Sequence, residues 1–406
     1  MWSRPFVVLF ASVMVATMGI SMVSPILPVY AEDLGATGIW IGLTFSVFAV
    51  TQTIFGPFAG RWSDRYGRKP FIILGLLIYF VAALGYLTAD TFLQVLAFRA
   101  LSGSGTSLIF SVSRAYIGDL VPPGHEGRWF GVFAVADIMG FGLGPIFSGA
   151  LREAFGFDAV FVGMAALMGS SAAIVWTLLP GQSHAERIAR GVAPSWSFGQ
   201  ALRDRLVMTL TALMGLTSLT FGAVYSFLSV RLDDLGVSAL PIGLAFAAES
   251  LASGVAQPIF GPLADRLDRR VMVAGGLIAS AVALAALGAA SRYDVIVGLM
   301  LLLGVAQAVA MVSISAMQVV AGRRAGMGTV IGLGSAGNGV GIVFGAVAGG
   351  ALVGVFGLSA PFYFGALTML AGGVLVMWMM RSVSTSEGHH TPQPSDDATA
   401  ETQPTG

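Results

Sequence analysis

The stretch Gly60-Arg61-Trp62-Ser63-Asp64-Arg65-Tyr66-Gly67-Arg68-Lys69 joins two long apolar segments. A second version, Gly261-Pro262-Leu263-Ala264-Asp265-Arg266-Leu267-Asp268-Arg269-Arg270, follows at an offset of 201 residues. A short basic connection between apolar runs suits a hairpin of membrane helices, because its cations resist translocation. Finding it twice, half a chain apart, restricts the fold to a duplicated bundle with both copies on one face. Parallel repeats of this kind are an architecture of secondary transporters.

The solvent follows from composition. Hydrophobic residues make up 56% of the 406-residue chain and charged residues 10%, against about 25% charged in soluble domains. Apolar runs of about 20 residues, each long enough to cross roughly 30 Å of hydrocarbon, succeed one another almost to the C-terminus. With 54 glycines and no alternating strand pattern, they read as helices and not barrel strands. The expected fold class is therefore an all-α integral membrane protein of twelve transmembrane helices in two six-helix bundles related by pseudo-two-fold symmetry. The spans fall at approximately 5–30, 38–60, 70–89, 91–117, 129–151, 156–180, 205–230, 238–261, 271–290, 293–321, 328–353 and 358–381. The first run exceeds the apolar core of a signal peptide and is read as a retained helix. Residues 1–181 form the N-terminal bundle, 182–204 a cytoplasmic linker, 205–381 the C-terminal bundle and 382–406 a disordered cytoplasmic tail rich in Ser, Thr, Pro, Gln and Asp.

Charge placement orients the chain. With both termini inside, 16 of the 21 Lys and Arg residues fall on the cytoplasmic side, Arg152, Arg231 and Arg292 fall outside, and Arg99 and Arg114 lie within span 4. This is the positive-inside asymmetry, and a multi-pass protein of the cell (inner) membrane is expected. The repeat runs well beyond the loops. Leu34-Gly35 matches Leu235-Gly236, Ile41-Gly42-Leu43 matches Ile242-Gly243-Leu244, and Gly140, Gly144 and Gly149 match Gly341, Gly345 and Gly350, all at the same offset.

These residues resemble the Major Facilitator Superfamily over about 375 residues. Gly60-x-x-x-Asp64-Arg65-x-Gly67-Arg68-Lys69 is similar to the family's motif between spans 2 and 3, and Arg99-x-x-x-Gly103-x-Gly105 to a second motif in span 4. Gly140-x-x-x-Gly144-Pro145-x-x-x-Gly149 resembles the span 5 motif of twelve-span drug–proton antiporters, and Pro25-Ile26-Leu27-Pro28 the proline pair ending their first span. The chain departs from the pattern at Ser148, where many antiporters have a second glycine, and at Asp268, where the second loop copy loses its own. The resemblance implies alternating access. It implies a cytoplasmic latch made by Gly60, Asp64, Arg65, Gly67, Arg68, Lys69 and Asp119, with Asp265, Arg266 and Arg269 in the second copy. It also implies that Gly140, Gly144, Pro145 and Gly149 face span 8 across the moving interface. Holding topology is the plainer role for the loop cations, and close helix packing the plainer role for the glycines.

Ionisable side chains at membrane depth are costly and default to function. Asp137, Glu249, Arg99 and Arg114 are the four that stand out. Asp137 precedes Gly140 and Gly144 by three and seven residues, so helical geometry puts it on or near the glycine face. Arg114 comes at a similar depth on span 4, which makes a structural ion pair the competing role for Asp137. Glu249 has no arginine of its own half at its depth, and a carboxyl without a cationic partner can take up a proton. Glu249 is thus the leading proton carrier. The repeat places Asn338 and Phe48 at the two equivalent positions, so neither acid is required by the shared scaffold. A substrate cavity is expected among spans 1, 4, 7 and 10, with Ser24, Thr106, Ser111, Tyr225 and Gln307 as lining candidates. Its modest polarity suits a partly apolar or amphiphilic molecule.

The only lysine, Lys69, is followed by Pro70, so no Walker motif and no retinal attachment site exist. The four histidines sit in loops or the tail, and without cysteine there is no thiolate metal site. An enzyme is not expected, nor a metal, a cofactor or a nucleic-acid partner; the partners are a small molecule, protons and the lipid bilayer, with the protein a monomer. A non-transporting receptor would keep ligand binding without flux. Proton-coupled drug export is favoured over uptake or export of one metabolite such as a siderophore or sugar.

Overall fold

The computed structural model describes residues 3–121, 126–181 and 198–379, which excludes most of the 182–204 linker and the 382–406 tail. Among the described residues, twelve helices are long and apolar enough to cross a membrane. They are α1 (Arg4–Asp33), α2 (Ile39–Tyr66), α3 (Arg68–Tyr86), α4 (Phe92–Leu120), α5 (Glu126–Phe155), α6 (Phe157–Leu178), α7 (Arg205–Asp234), α8 (Ala239–Arg266), α9 (Arg269–Ala289), α10 (Tyr293–Ala325), α11 (Met327–Phe356) and α12 (Ala360–Met379). A one-turn helix, Phe198–Ala201, precedes α7. Several helices outrun their expected spans: α2 continues to Tyr66 and α10 to Ala325. The apolar run marks where hydrocarbon ends, whereas a helix can continue into the wet headgroup layer, where charged side chains cost little.

α1 is broken at Met22 into segments Arg4–Ser21 and Val23–Asp33. Pro25 explains the break, since it has no amide proton for the carbonyl of Ser21 and its ring crowds that oxygen. One buried core runs from Phe6 to Leu179 and a second from Ala201 to Val376. A third, smaller cluster joins them: Val29, Ala31, Ala36 and Ile41 pack with Phe227 and Val230. Val29 and Val230 are equivalent in the repeat, so the two halves meet there about their pseudo-two-fold axis. This contact lies on the face opposite the 60–69 and 261–270 loops, called below the opposite face; the other is the basic face.

The repeat also appears in different chemistry. On α1, the Tyr30 hydroxyl donates to the carbonyls of Tyr86 and Ala89 at 3.0 and 3.1 Å, closing the end of α3. On α7, Arg231 occupies the equivalent position and donates to Gly288 and Ala290 at 3.0 and 2.7 Å, closing the end of α9. Each packs on the equivalent phenylalanine, Phe161 or Phe362. A cation suits the negative end of a helix. Arg231, read from the sequence as an outer-loop cation, is thus a buried tie between helices.

The two basic loops differ at one point. Gly67 holds φ at 103° between α2 and α3, a conformation that side chains rarely adopt. Its counterpart Asp268 has φ −63° and caps α9 instead, accepting from the Arg270 amide at 2.9 Å.

Candidate functional site: a buried carboxyl and the seam between halves

Glu249 sits midway along α8 and is 7% exposed. The Ser250 hydroxyl donates to its carboxyl at 3.3 Å, and the Tyr225 side chain of α7 lies beside it. Tyr225 is held by stacking on Phe221, with centroids 4.1 Å apart, and by the edge of Phe246 at 5.5 Å. Gly304 lets α10 lie against α8 at this level, because a Cβ there would strike the Glu249 backbone. No salt bridge to Glu249 occurs among the described residues. An unpaired carboxylate at this depth costs on the order of 3 kcal/mol, and taking a proton removes that cost.

Asp137 is built differently. Its Oδ1 accepts from Thr17 of α1 at 3.3 Å and its Oδ2 lies 3.7 Å from Arg114 of α4. The Arg114 side chain is 60% exposed. In the second half, Asn338 donates to Ser218 at 2.6 Å. Thr17 and Ser218 are equivalent, as are Asp137 and Asn338, so a neutral amide makes the same tie between helices. The polar tie belongs to the scaffold and the charge is an addition to it.

Arg99 is 4% exposed and lies among α2, α3 and α4. Its Nε donates to the Thr44 carbonyl at 2.8 Å, its guanidinium lies 4.4 Å from the Phe48 ring centre and 5.5 Å from that of Phe45, and Tyr86, hydrogen-bonded to Ser102 at 3.2 Å, lies nearby. Aromatic faces and a carbonyl take the place of a carboxylate.

The glycine motif requires a correction. Gly140 and Gly144 face α1: a Cβ on either would strike Met18, and Ser21 donates to the Gly140 carbonyl at 2.9 Å. Only Pro145 and Gly149 look across to α8. A Cβ on Gly243 would run into the Pro145 carbonyl, and one on Gly149 would come within 2.5 Å of the Ala239 carbonyl. The packing repeats between α2 and α11, where Gly42 meets Ala346 and Gly350 meets Gly38 and Ile39. Small residues at both contacts let backbones touch. Further along, Gly254 meets Ile138 and Gly339 meets Thr53. Nearer the basic face, Gly60, Gly131, Gly261 and Gly332 have no atom of the described residues within 4 Å of a built Cβ. The described seam is shut from the opposite face to about mid-depth and is without glycine contacts below.

Side chains reinforce the shut end. Arg152 of α5 pairs with Asp233 of α7 at 3.1 Å, and Glu153 accepts from the Leu240 amide at 2.9 Å, satisfying an open N–H at the start of α8. Both links cross between halves. At the basic face, Arg68 pairs with Asp119 at 3.1 Å and donates to Ser63 at 2.8 Å, while Lys69 donates to the Trp176 carbonyl at 2.7 Å. These contacts stay within the first half. The side chains of Asp64, Asp265 and Arg266 lie outside the described residues; Arg65 is exposed at the end of α2 and Arg269 half-buried at the start of α9.

The cavity candidates do not share one surface. Thr106 is fully buried and bonded to Ser102 of its own helix at 2.8 Å, so it is not a lining residue. Tyr225 belongs to the Glu249 site. Ser111 packs toward Gly56, and Ser24 and Gln307 are half-buried.

The family model of the Major Facilitator Superfamily matches residues 9–231 and again 210–404, one match to each half. The chain belongs to the Major Facilitator Superfamily. It is a membrane transporter of that superfamily and not an enzyme. An uncharacterised MFS-type transporter of Methanocaldococcus jannaschii is 24% identical over 91% of this chain and 96% of its own length. The quinolone resistance protein NorA of Staphylococcus aureus is 30% identical, over 37% of this chain and 39% of NorA. Among solved structures, the human organic anion transporter MFSD10 (TETRAN) aligns with 92% of this chain and 99% of its own at TM-score 0.67 and 20% identity. A bacterial homologue of the human lysosomal transporter Spinster, in an inward-facing and occupied conformation, aligns with 92% and 94% at TM-score 0.72 and 17% identity.

Sequence reasoning missed the Arg152–Asp233 and Glu153–Leu240 links, which join helix ends far apart in the chain. The Thr17–Asp137 tie did carry a signal: both partners have polar counterparts at the repeat offset.

Proposed function

We propose that this superfamily member exports a partly apolar or amphiphilic, drug-like molecule in exchange for protons by alternating access. The observation that supports this most is Glu249, a carboxyl deep in α8 with the Ser250 hydroxyl on it, Tyr225 beside it and no salt bridge among the described residues. A group so placed holds a proton when its surroundings are dry and releases it when the site opens to water. The partial likeness to a quinolone resistance protein supports the choice of export over metabolite uptake. In this reading the basic face is cytoplasmic, the protein is a monomer of the cell membrane, and the seam parts at the opposite face once substrate is bound and Glu249 has given its proton to the cytoplasm. Glu249 takes up the next proton from outside before the seam shuts again. Arg68 and Asp119, with Asp64 and Arg65, form the latch that holds the cytoplasmic ends together.

The test is uptake of a fluorescent lipophilic cation into inverted vesicles under an imposed pH gradient. Flux is expected to follow the gradient and to be lost in Glu249→Gln, with the variant still present in the membrane. Uptake that persists after the gradient is collapsed overturns the antiport reading; gradient-driven uptake by Glu249→Gln moves the proton elsewhere.

A further inference from the structure

A groove of about 540 Å³ runs along the outside of the seam, walled by Ile146 of α5, Leu244, Ala247, Ala248 and Leu251 of α8, and Val297 of α10, with Tyr293 and Asp294 at its mouth. Its face of α8 continues toward the basic face as Val255 and Ile259, both widely exposed. The polar residues of α8, Ser250, Ser253 and Gln257, lie roughly half a helical turn away. An exposed all-apolar stripe at this depth faces hydrocarbon, so the groove opens sideways into the bilayer.

Its dimensions match one leaflet. Leu251 lies twelve residues into α8 from Ala239, or about 18 Å at 1.5 Å per residue, against roughly 15 Å for half of the hydrocarbon layer. The apolar walls therefore descend from the interface to the midplane. The mouth carries both charges: Arg292 donates to Asp294 at 3.2 and 2.7 Å, and both side chains are mostly exposed. A guanidinium and a carboxylate side by side complement a phosphate and a primary amine, the two charges of an amine-bearing zwitterionic phospholipid. Tyr293, whose hydroxyl donates to the Pro241 carbonyl at 2.8 Å, fixes the start of α10 against α8 at headgroup level.

We infer that the groove is a phospholipid site: one acyl chain lies against α5, α8 and α10, and an amine-bearing headgroup sits on the Arg292–Asp294 pair. The chain touches Ile146 of one half and Leu244 and Leu251 of the other, so a bound lipid spans the seam while the opposite face is shut. Parting of the seam dismantles the groove, and by linkage the lipid favours the shut state.

The test uses the full chain in nanodiscs of phosphatidylcholine doped with a phosphatidylethanolamine bearing a diazirine on its acyl chain, photolysed and mapped by peptide mass spectrometry. Adducts are expected to concentrate on residues 244–251 and 293–297. Ala248→Trp and Val297→Trp, which fill the groove from two helices, are each expected to lose most of those adducts while labelling of the outward face of α12 is unchanged. Asp294→Asn is expected to reduce labelling relative to a diazirine phosphatidylcholine used as control. Adducts spread evenly over all bilayer-facing helices mean annular lipid only and overturn the site, as does undiminished groove labelling in whichever Trp variant retains the wild-type labelling of α12. Equal labelling by the two headgroups in the unmutated chain overturns the assignment of the amine.

Discussion

Gly243→Ala isolates the seam from everything else in the molecule. The added methyl would run into the Pro145 carbonyl, and the two backbones cannot both stay where they are. Forcing one methyl into a packed contact costs about 1–3 kcal/mol. That cost falls on the state whose opposite face is shut, because the seam separates when that face opens and the methyl then meets nothing. The penalty is differential and shifts the ratio of the two states about 5- to 150-fold toward the open one. Gly42→Ala, at the equivalent contact with Ala346, is expected to do the same.

The chain contains no cysteine, so spin labels go on directly. Thr37 and Ser238 are equivalent, exposed and on opposite sides of the seam at the opposite face. Distance distributions between labels on Thr37→Cys and Ser238→Cys in nanodiscs read the seam by electron–electron resonance. The long-distance population is expected to grow in Gly243→Ala and to stay unchanged in Gly261→Ala, where a Cβ meets no atom of the described residues. A folded Gly243→Ala protein with the wild-type distribution would refute the reasoning that this contact holds the face shut.

Asp137→Asn should retain stability and gradient-driven flux, since Asn338 makes the equivalent tie with no charge; loss of proton-coupled flux in that variant would transfer the coupling role from Glu249 to Asp137. Arg231→Met removes two charge-assisted bonds to the end of α9, each contributing about 1.5–3 kcal/mol, and should lower the unfolding temperature followed by intrinsic fluorescence. Arg231→Tyr should recover part of the loss, because Tyr30 closes α3 in the same way; a Tyr variant no better than the Met variant would contradict the equivalence.

The constant offset between Gly60 and Gly261 carried most of the architecture, because a duplicated bundle must place equivalent residues on equivalent faces. It carried Gly42 with Gly243 and Gly149 with Gly350, which turn out to be the seam. The direction in which a helix face looks was less legible. Gly140 and Gly144 share a face with Asp137, as spacing requires, but the neighbour that face meets depends on how α5 is rotated in the bundle, and it meets α1. Partnerships between helices were hidden for the same reason: no spacing in the chain links Tyr225 to Glu249. Tyr30 and Arg231 show another limit, since the repeat preserved the job while the residue type changed.

Alternating access requires two equivalent bodies to rock about a shared axis, so that one face closes as the other opens. The direct measurement pairs the Thr37–Ser238 labels with a second set on Tyr66 and Leu267, equivalent exposed residues at the basic face, in nanodiscs with and without a transported cation at low and high pH. The expected result is anticorrelation: conditions that lengthen the first distance shorten the second. Distances that lengthen together, or a basic-face pair that stays fixed while the opposite face opens, would contradict it.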